Sequence, residues 1–203
     1  MAGMIPRGGA SGKMVMLPGG VQPFLTSLRH LGRMPNYRRP HLSGARIFFT
    51  VTLADRDSDL LVRQVDLLRT AVRRTRAERP FAIEAWVVLP DHMHCIWQMP
   101  DGDSDYPTRW RLIKSRFSRQ LDPGPRRPSH VRRAERGIWQ RRYWEHHIRS
   151  DREFHRLLEY CWANPVKHGL VDTPHDWQWS SIHSDARCPR ERPCAVEKVV
   201  NAA

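Results

Sequence analysis

The sequence predicts an α+β fold on the ferredoxin-like, split βαβ plan, an antiparallel sheet of about four strands with helices mainly on one face. Three observations predict it. Runs rich in β-branched and aromatic residues occupy 45–53, 81–89, 92–99 and 137–148. Apolar residues recur at helical spacing through 60–78, 108–121 and 152–164. The two patterns alternate as strand, helix, strand, strand, helix, strand, helix, with a turn too short for a crossover between the second and third strands.

Each element has a local cause. The run Ile47-Phe48-Phe49-Thr50-Val51 makes the first strand. Asp57 or Ser58 can cap the first helix, whose apolar positions are Leu60, Leu61, Val65, Leu68 and Val72, and Pro80 closes it. Pro90-Asp91 turns the second strand into the third. Asp101, Asp103 and Asp105 lie in a turn-rich segment that lacks the spacing of an EF-hand loop and reads as a solvated connection. Trp110, Ile113, Phe117 and Leu121 give the second helix its apolar side. Pro123, Pro125 and Pro128 mark 122–136 as a Pro/Arg-rich insertion that reads as neither regular helix nor central strand. Ser150 or Asp151 caps the third helix, and Pro165 and Gly169 are expected to end it. The chain therefore divides into a mobile basic extension, 1–36, a folded domain, 37–184, and a tail, 185–203.

Charge narrows the partner. The 34 Lys and Arg against 21 Asp and Glu leave a net +13, which asks for a polyanion, nucleic acid being the commonest. Between Arg109 and Arg142 there are twelve basic residues against two acidic ones, Asp122 and Glu135, the densest phosphate-binding candidate in the chain. The four cysteines form no disulfide framework, and Cys188 and Cys194 with His175 or His183 match no compact zinc knuckle. With no apolar run of transmembrane length and no signal-like h-region, the expectation is a soluble cytoplasmic protein, with no membrane partner.

The chemistry centres on His92-Met93-His94. Alternate residues of a strand share a face, so the two imidazoles project together, about 6.5 Å apart along the strand, where they can share a divalent metal. Taken alone, such a pair is equally an exposed polar edge. On the third helix Tyr160 and Asn164 are four residues apart and share a face, so Asn164 offers an amide oxygen as a third ligand and Tyr160 a phenol beside whatever the metal holds. By itself Tyr160 reads first as a buried helix tyrosine. The inference requires the third helix to dock against the histidine strand. Tyr143 is a competing nucleophile, Glu145 can orient a ligand, and His146 and His147 can move protons or merely line a basic surface.

Four segments resemble the REP-associated tyrosine transposases, members of the HUH single-strand transposase superfamily. They are 86–97 (Trp-Val-Val-Leu-Pro-Asp-His-Met-His-Cys-Ile-Trp), 109–114, 139–146 and 159–169, within a likeness that runs from about Tyr37 to Ser181. The resemblance implies His92 and His94 as metal ligands, Asn164 as the third, Tyr160 as nucleophile, and Mg²⁺ or Mn²⁺ as cofactor. It further implies cutting of single-stranded DNA at the foot of palindromic hairpins, with a 5′-phosphotyrosine, a free 3′-hydroxyl and resealing without ATP. Arg38, Arg39, Arg109, Arg111, Lys114, Arg116, Arg119, Arg141, Arg142 and Lys167 are the candidate DNA contacts. A monomer is expected, with a homodimer as the alternative. The insertion, both tails and Cys161-Trp162-Ala163 depart from the family pattern. Two other functions fit the same features: a domesticated, non-catalytic protein binding repetitive extragenic palindromes, and a metal-dependent RNA phosphodiesterase.

Overall fold

The computed structural model describes residues 42–184. The extension 1–36, Arg38 and Arg39, Cys188 and Cys194, and the tail 185–203 lie outside the described residues. Four antiparallel strands, β1 (Arg46–Thr52), β2 (Ala82–Val88), β3 (His92–Gln98) and β4 (Trp144–His147), form a sheet in the order β2-β3-β1-β4. Helices α1 (Leu60–Arg63) and α2 (Val65–Glu78) follow β1, and α3 (Tyr106–Ser118) follows β3. A short α4 (Pro128–Arg132) precedes β4, and α5 (Asp151–Lys167) follows it.

Strand alternation gives the sheet two unlike faces. Ile47, Phe49, Val51, Met93, Cys95 and Trp97 pack against Leu61, Leu68, Val72, Trp110, Ile113 and Phe117 of the α1–α3 layer. Phe48, Ala85, Val87 and Ile96 pack against Phe154, Leu157, Leu158, Cys161 and Trp162 of α5. His92 and His94 alternate with Met93 and Cys95, and so they point toward α5. The docking that the sequence required is present.

Several boundaries differ from the expectation, each for a physical reason. Gln64 interrupts the first helix, separating α1 from α2; the Ser58 hydroxyl accepts from the Leu60 N–H, but Asp57 caps nothing. Helix α3 starts two residues early because the Asp105 carboxylate takes the Thr108 N–H and Pro107 suits the first turn. The 122–136 insertion does contain a helix: Pro128 sits in the first turn of α4, where its missing N–H costs nothing. Only Trp144–His147 of the fourth strand pairs regularly, while Trp139 makes an isolated bridge to Leu53. Helix α5, capped by Ser150, runs through Pro165 to Lys167. A Schellman closure then ends it: Gly169, at φ 66°, donates to the Val166 carbonyl and Leu170 donates to the Pro165 carbonyl. Beyond it, Trp177 and Trp179 bond the backbone of Val88 and Ser180 bridges Val87, which covers the free edge of β2.

Candidate active site

The two histidines are held from behind. His92 and His94 are 5 % and 3 % exposed, with ring centroids 5.0 Å apart. Thr50, opposite His94 in the ladder, places its hydroxyl 2.9 Å from His94 Nδ1. The Asp91 carboxylate lies 2.7 Å from His92 Nδ1, and Arg56 Nε grips the other Asp91 oxygen at 2.8 Å. With Nδ1 engaged on each ring, each Nε2 is the nitrogen left for a ligand bond. Burial, reinforced by the neighbouring His92 and His168 and by Lys167, drives the His94 pKa well below 6.5 against an opposing influence of the Asn164 amide; His94 is therefore neutral, as a metal ligand must be. Burial raises the Asp91 pKa, but the hydrogen bond to His92 and the charges of His92 and Arg56 outweigh it, and the net shift is downward.

Helix α5 brings the remaining groups. The Tyr160 ring packs 5.4 Å from the His94 ring and 5.9 Å from Phe48. Asn164, 1 % exposed, donates from Nδ2 to the Tyr160 carbonyl at 3.1 Å, which fixes the amide. The amide is near enough to perturb both His94 and Tyr160, yet its buried Oδ1 has no partner of hydrogen-bond geometry among the described residues. Burial raises the Tyr160 pKa, partly opposed by Asn164, so the phenol is protonated at neutral pH. Lys167 is exposed, with Nζ 5.0 Å from the centre of the Tyr160 ring, and partial desolvation there lowers its pKa.

Among the described residues, no group of three His, Cys, Asp or Glu side chains could hold a metal ion. The available donor set is two imidazoles and one amide oxygen. Mixed N/O donors suit a divalent ion that tolerates imidazole and leaves positions open, and the stranded Asn164 oxygen is what such an ion would satisfy. The residues present fit a divalent metal ion.

The basic candidates divide. Arg109 is corrected by its surroundings. It is 1 % exposed, takes Asp103 at 2.6 and 3.1 Å, and donates to the carbonyls of Arg79, Pro80 and Asp105. Its guanidinium ties the acidic loop to α3 and is not offered to DNA; by the same bond that loop is anchored rather than a free solvated connection. Arg116 is engaged by Thr75 and Glu78, Arg141 by Glu135 and Ser129, and Lys114 donates to the Gln140 carbonyl. Arg111, Arg119 and Arg142 are exposed. All of α3 lies across the sheet from the histidines, and of the basic candidates among the described residues it is Lys167 that stands against Tyr160.

Sequence reasoning assigned no role to Arg56, Asp91 or His168. The His168 ring lies 5.1 Å from that of His92. Its position eight residues after Tyr160 and four after Asn164 was the available signal. Arg56 carries no such signal, because its partner is distant in sequence. Tyr143 is set apart from the site: its ring packs on Phe49 and Trp110, on the α3 face of the sheet.

No protein-family model matches the chain. Over 152 residues it is 43 % identical to the REP-associated tyrosine transposase of Escherichia coli K12, covering 75 % of this chain and 85 % of that protein. It is 41 % identical over 156 residues to a Haemophilus influenzae protein carrying the same family name, covering 76 % and 89 % respectively. A solved REP-associated tyrosine transposase bound to a REP hairpin superposes with a TM-score of 0.65 at 43 % identity, covering 76 % of this chain and 86 % of that one. The fold is thus that of a transposase, an α+β sheet protein with a histidine pair facing a tyrosine helix. The chain belongs to the family of REP-associated tyrosine transposases.

Proposed function

We propose that the protein is a metal-dependent, single-tyrosine DNA endonuclease and strand transferase that acts on hairpin-forming single-stranded DNA through a 5′-phosphotyrosine intermediate. The observation that carries the reading is the packing of Tyr160 on His94 at 5.4 Å, with the buried Asn164 oxygen one helical turn away. Tyr160 Oη attacks the scissile phosphorus, the P–O3′ bond breaks, and the proton lost by the phenol is balanced by one gained on the departing 3′ oxygen. The new aryl phosphodiester retains the bond energy, so a 3′-hydroxyl can reverse the step.

His92, His94 and Asn164 would hold Mg²⁺ or Mn²⁺, which when bound polarises a nonbridging oxygen and offsets charge developing on phosphorus. The chain's own tasks are positional. Thr50 and Asp91 fix the two rings, the Asn164 amide is fixed by its own helix, and Phe48 seats Tyr160. Arg111, Arg119 and Arg142, with Arg38 and Arg39, would hold the DNA backbone. The hairpin substrate is supported by the net charge and by the solved relative, which holds a REP hairpin. Tyr160 serves its own chain's site, so a monomer suffices, and the setting is the bacterial cytoplasm.

The test is end-labelled hairpin DNA incubated with the protein and Mn²⁺, then run under denaturing conditions. A slow-migrating protein–DNA adduct, lost with EDTA and in Tyr160→Phe, is expected. Hairpin retarded on a native gel with neither adduct nor cut would overturn the reading in favour of a non-catalytic binding protein.

A further inference from the structure

Lys167 sets its ammonium against the ring of the nucleophile. Its ammonium sits 5.0 Å from the centre of the Tyr160 ring and near enough to His94 to act on it. It stands on the last turn of α5, seven residues after Tyr160 and three after Asn164. Among the described residues no carboxylate forms an ion pair with it, whereas Arg46, Arg56, Arg63, Arg69, Arg79, Arg109, Arg116, Arg141 and Arg156 each have one. Lys167 is exposed, so its ammonium is open to an incoming polyanion. Its charge meets the face of an aromatic ring and, among the described residues, no carboxylate, which leaves it available to an anion arriving at Tyr160.

We propose that Lys167 is a catalytic residue, whose ammonium contacts the scissile phosphate and the Tyr160 oxygen while the bond between them forms and breaks. The inference rests on the phosphotyrosine reading above and deepens it. In cleavage the Tyr160 oxygen bonds to phosphorus as the 3′ oxygen departs and takes up a proton; in rejoining, a 3′-hydroxyl attacks, loses its proton, and Tyr160 leaves as phenolate. Both directions share a transition state in which negative charge lies on the phosphoryl oxygens and on the phenolic oxygen. A cation fixed against the ring favours that state over the neutral phenol. The same side chain is thereby distinguished from Arg111, Arg119 and Arg142, which can only grip the backbone.

The experiment measures single-turnover cleavage of hairpin DNA at saturating protein, together with hairpin affinity in EDTA, for wild type, Lys167→Gln and Lys167→Arg. Unfolding midpoints establish that each variant is folded. Lys167→Gln is expected to cleave about 100-fold more slowly, the scale of losing one transition-state charge donor, with affinity changed less than about threefold. Lys167→Arg should recover most of the rate. On a substrate whose scissile phosphate is a neutral methylphosphonate, the ratio of wild type to Lys167→Gln should shrink to less than about tenfold, because the charge that Lys167 offsets is missing. A saturated rate within about threefold of wild type, with or without weaker binding, would overturn the proposal, as would an equal defect on both substrates. Absence of any adduct in wild type would instead remove the phosphotyrosine reading itself.

Discussion

Replacing Asp91 by Asn tests how the histidine pair is prepared for a metal. The substitution keeps the shape of the turn but removes a charged hydrogen bond at 2.7 Å to His92 Nδ1 and an ion pair at 2.8 Å to Arg56. A hydrogen bond to a charged group is worth about 1.5–3 kcal/mol, and here it acts on the basicity and orientation of a ligand. The Arg56 side chain is 53 % exposed, so its pair with Asp91 is screened and adds about 0–1 kcal/mol. Mn²⁺ affinity, titrated calorimetrically, should therefore fall about 10- to 100-fold in Asp91→Asn, in line with losses of outer partners at other metal sites. In Arg56→Gln it should fall no more than about fivefold. A dissociation constant for Asp91→Asn within about twofold of wild type would show that the carboxylate does not orient His92 toward a metal.

Arg109→Met should lower unfolding free energy by about 3–5 kcal/mol, because it leaves three backbone carbonyls without their donor and removes the ion pair to Asp103, with hairpin affinity unchanged in the folded fraction. Urea denaturation and gel retardation check both halves, and a stable variant that has lost DNA binding would contradict the structural role. Gly169→Ala should cost about 1 kcal/mol from backbone strain alone, since φ is 66° and nothing lies within 4 Å of the added methyl. An unchanged unfolding midpoint would refute the Schellman closure. His94 and His147 both have pKa values lowered by burial, so below pH 6.5 the unfolded chain binds protons that the folded chain does not. Stability should therefore fall as pH drops from 6.5 toward 5, by up to about 1.4 kcal/mol per pH unit per histidine. His94→Gln should flatten that slope, and a slope equal to wild type in urea titrations would contradict it.

What the sequence made legible is whatever local chemistry dictates. Alternation around His92 and His94 placed both rings on one face, and the four-residue step from Tyr160 to Asn164 placed the phenol and amide on one side of α5. The order of elements selected the sheet. Long-range pairing was less accessible: nothing near Arg109 announces that Asp103 and the carbonyls of residues 79, 80 and 105 converge on it, so a buried structural arginine read as a phosphate contact. Pro165 was read as a helix stop because it lacks an N–H, yet the Gly169 closure lies further along and α5 continues to it. The Asp91 and Arg56 support of His92 depends on a loop after β1 meeting the β2–β3 turn, a contact that only the folded chain reveals.

Mapping the covalent link tests the central claim most directly. After reaction with hairpin DNA, nuclease trimming and trypsin digestion, mass spectrometry should find the nucleotide on peptide 157–167, whose sole tyrosine is Tyr160. The modification on peptide 143–149, which carries Tyr143, or on neither, would contradict the assignment of Tyr160 as the nucleophile.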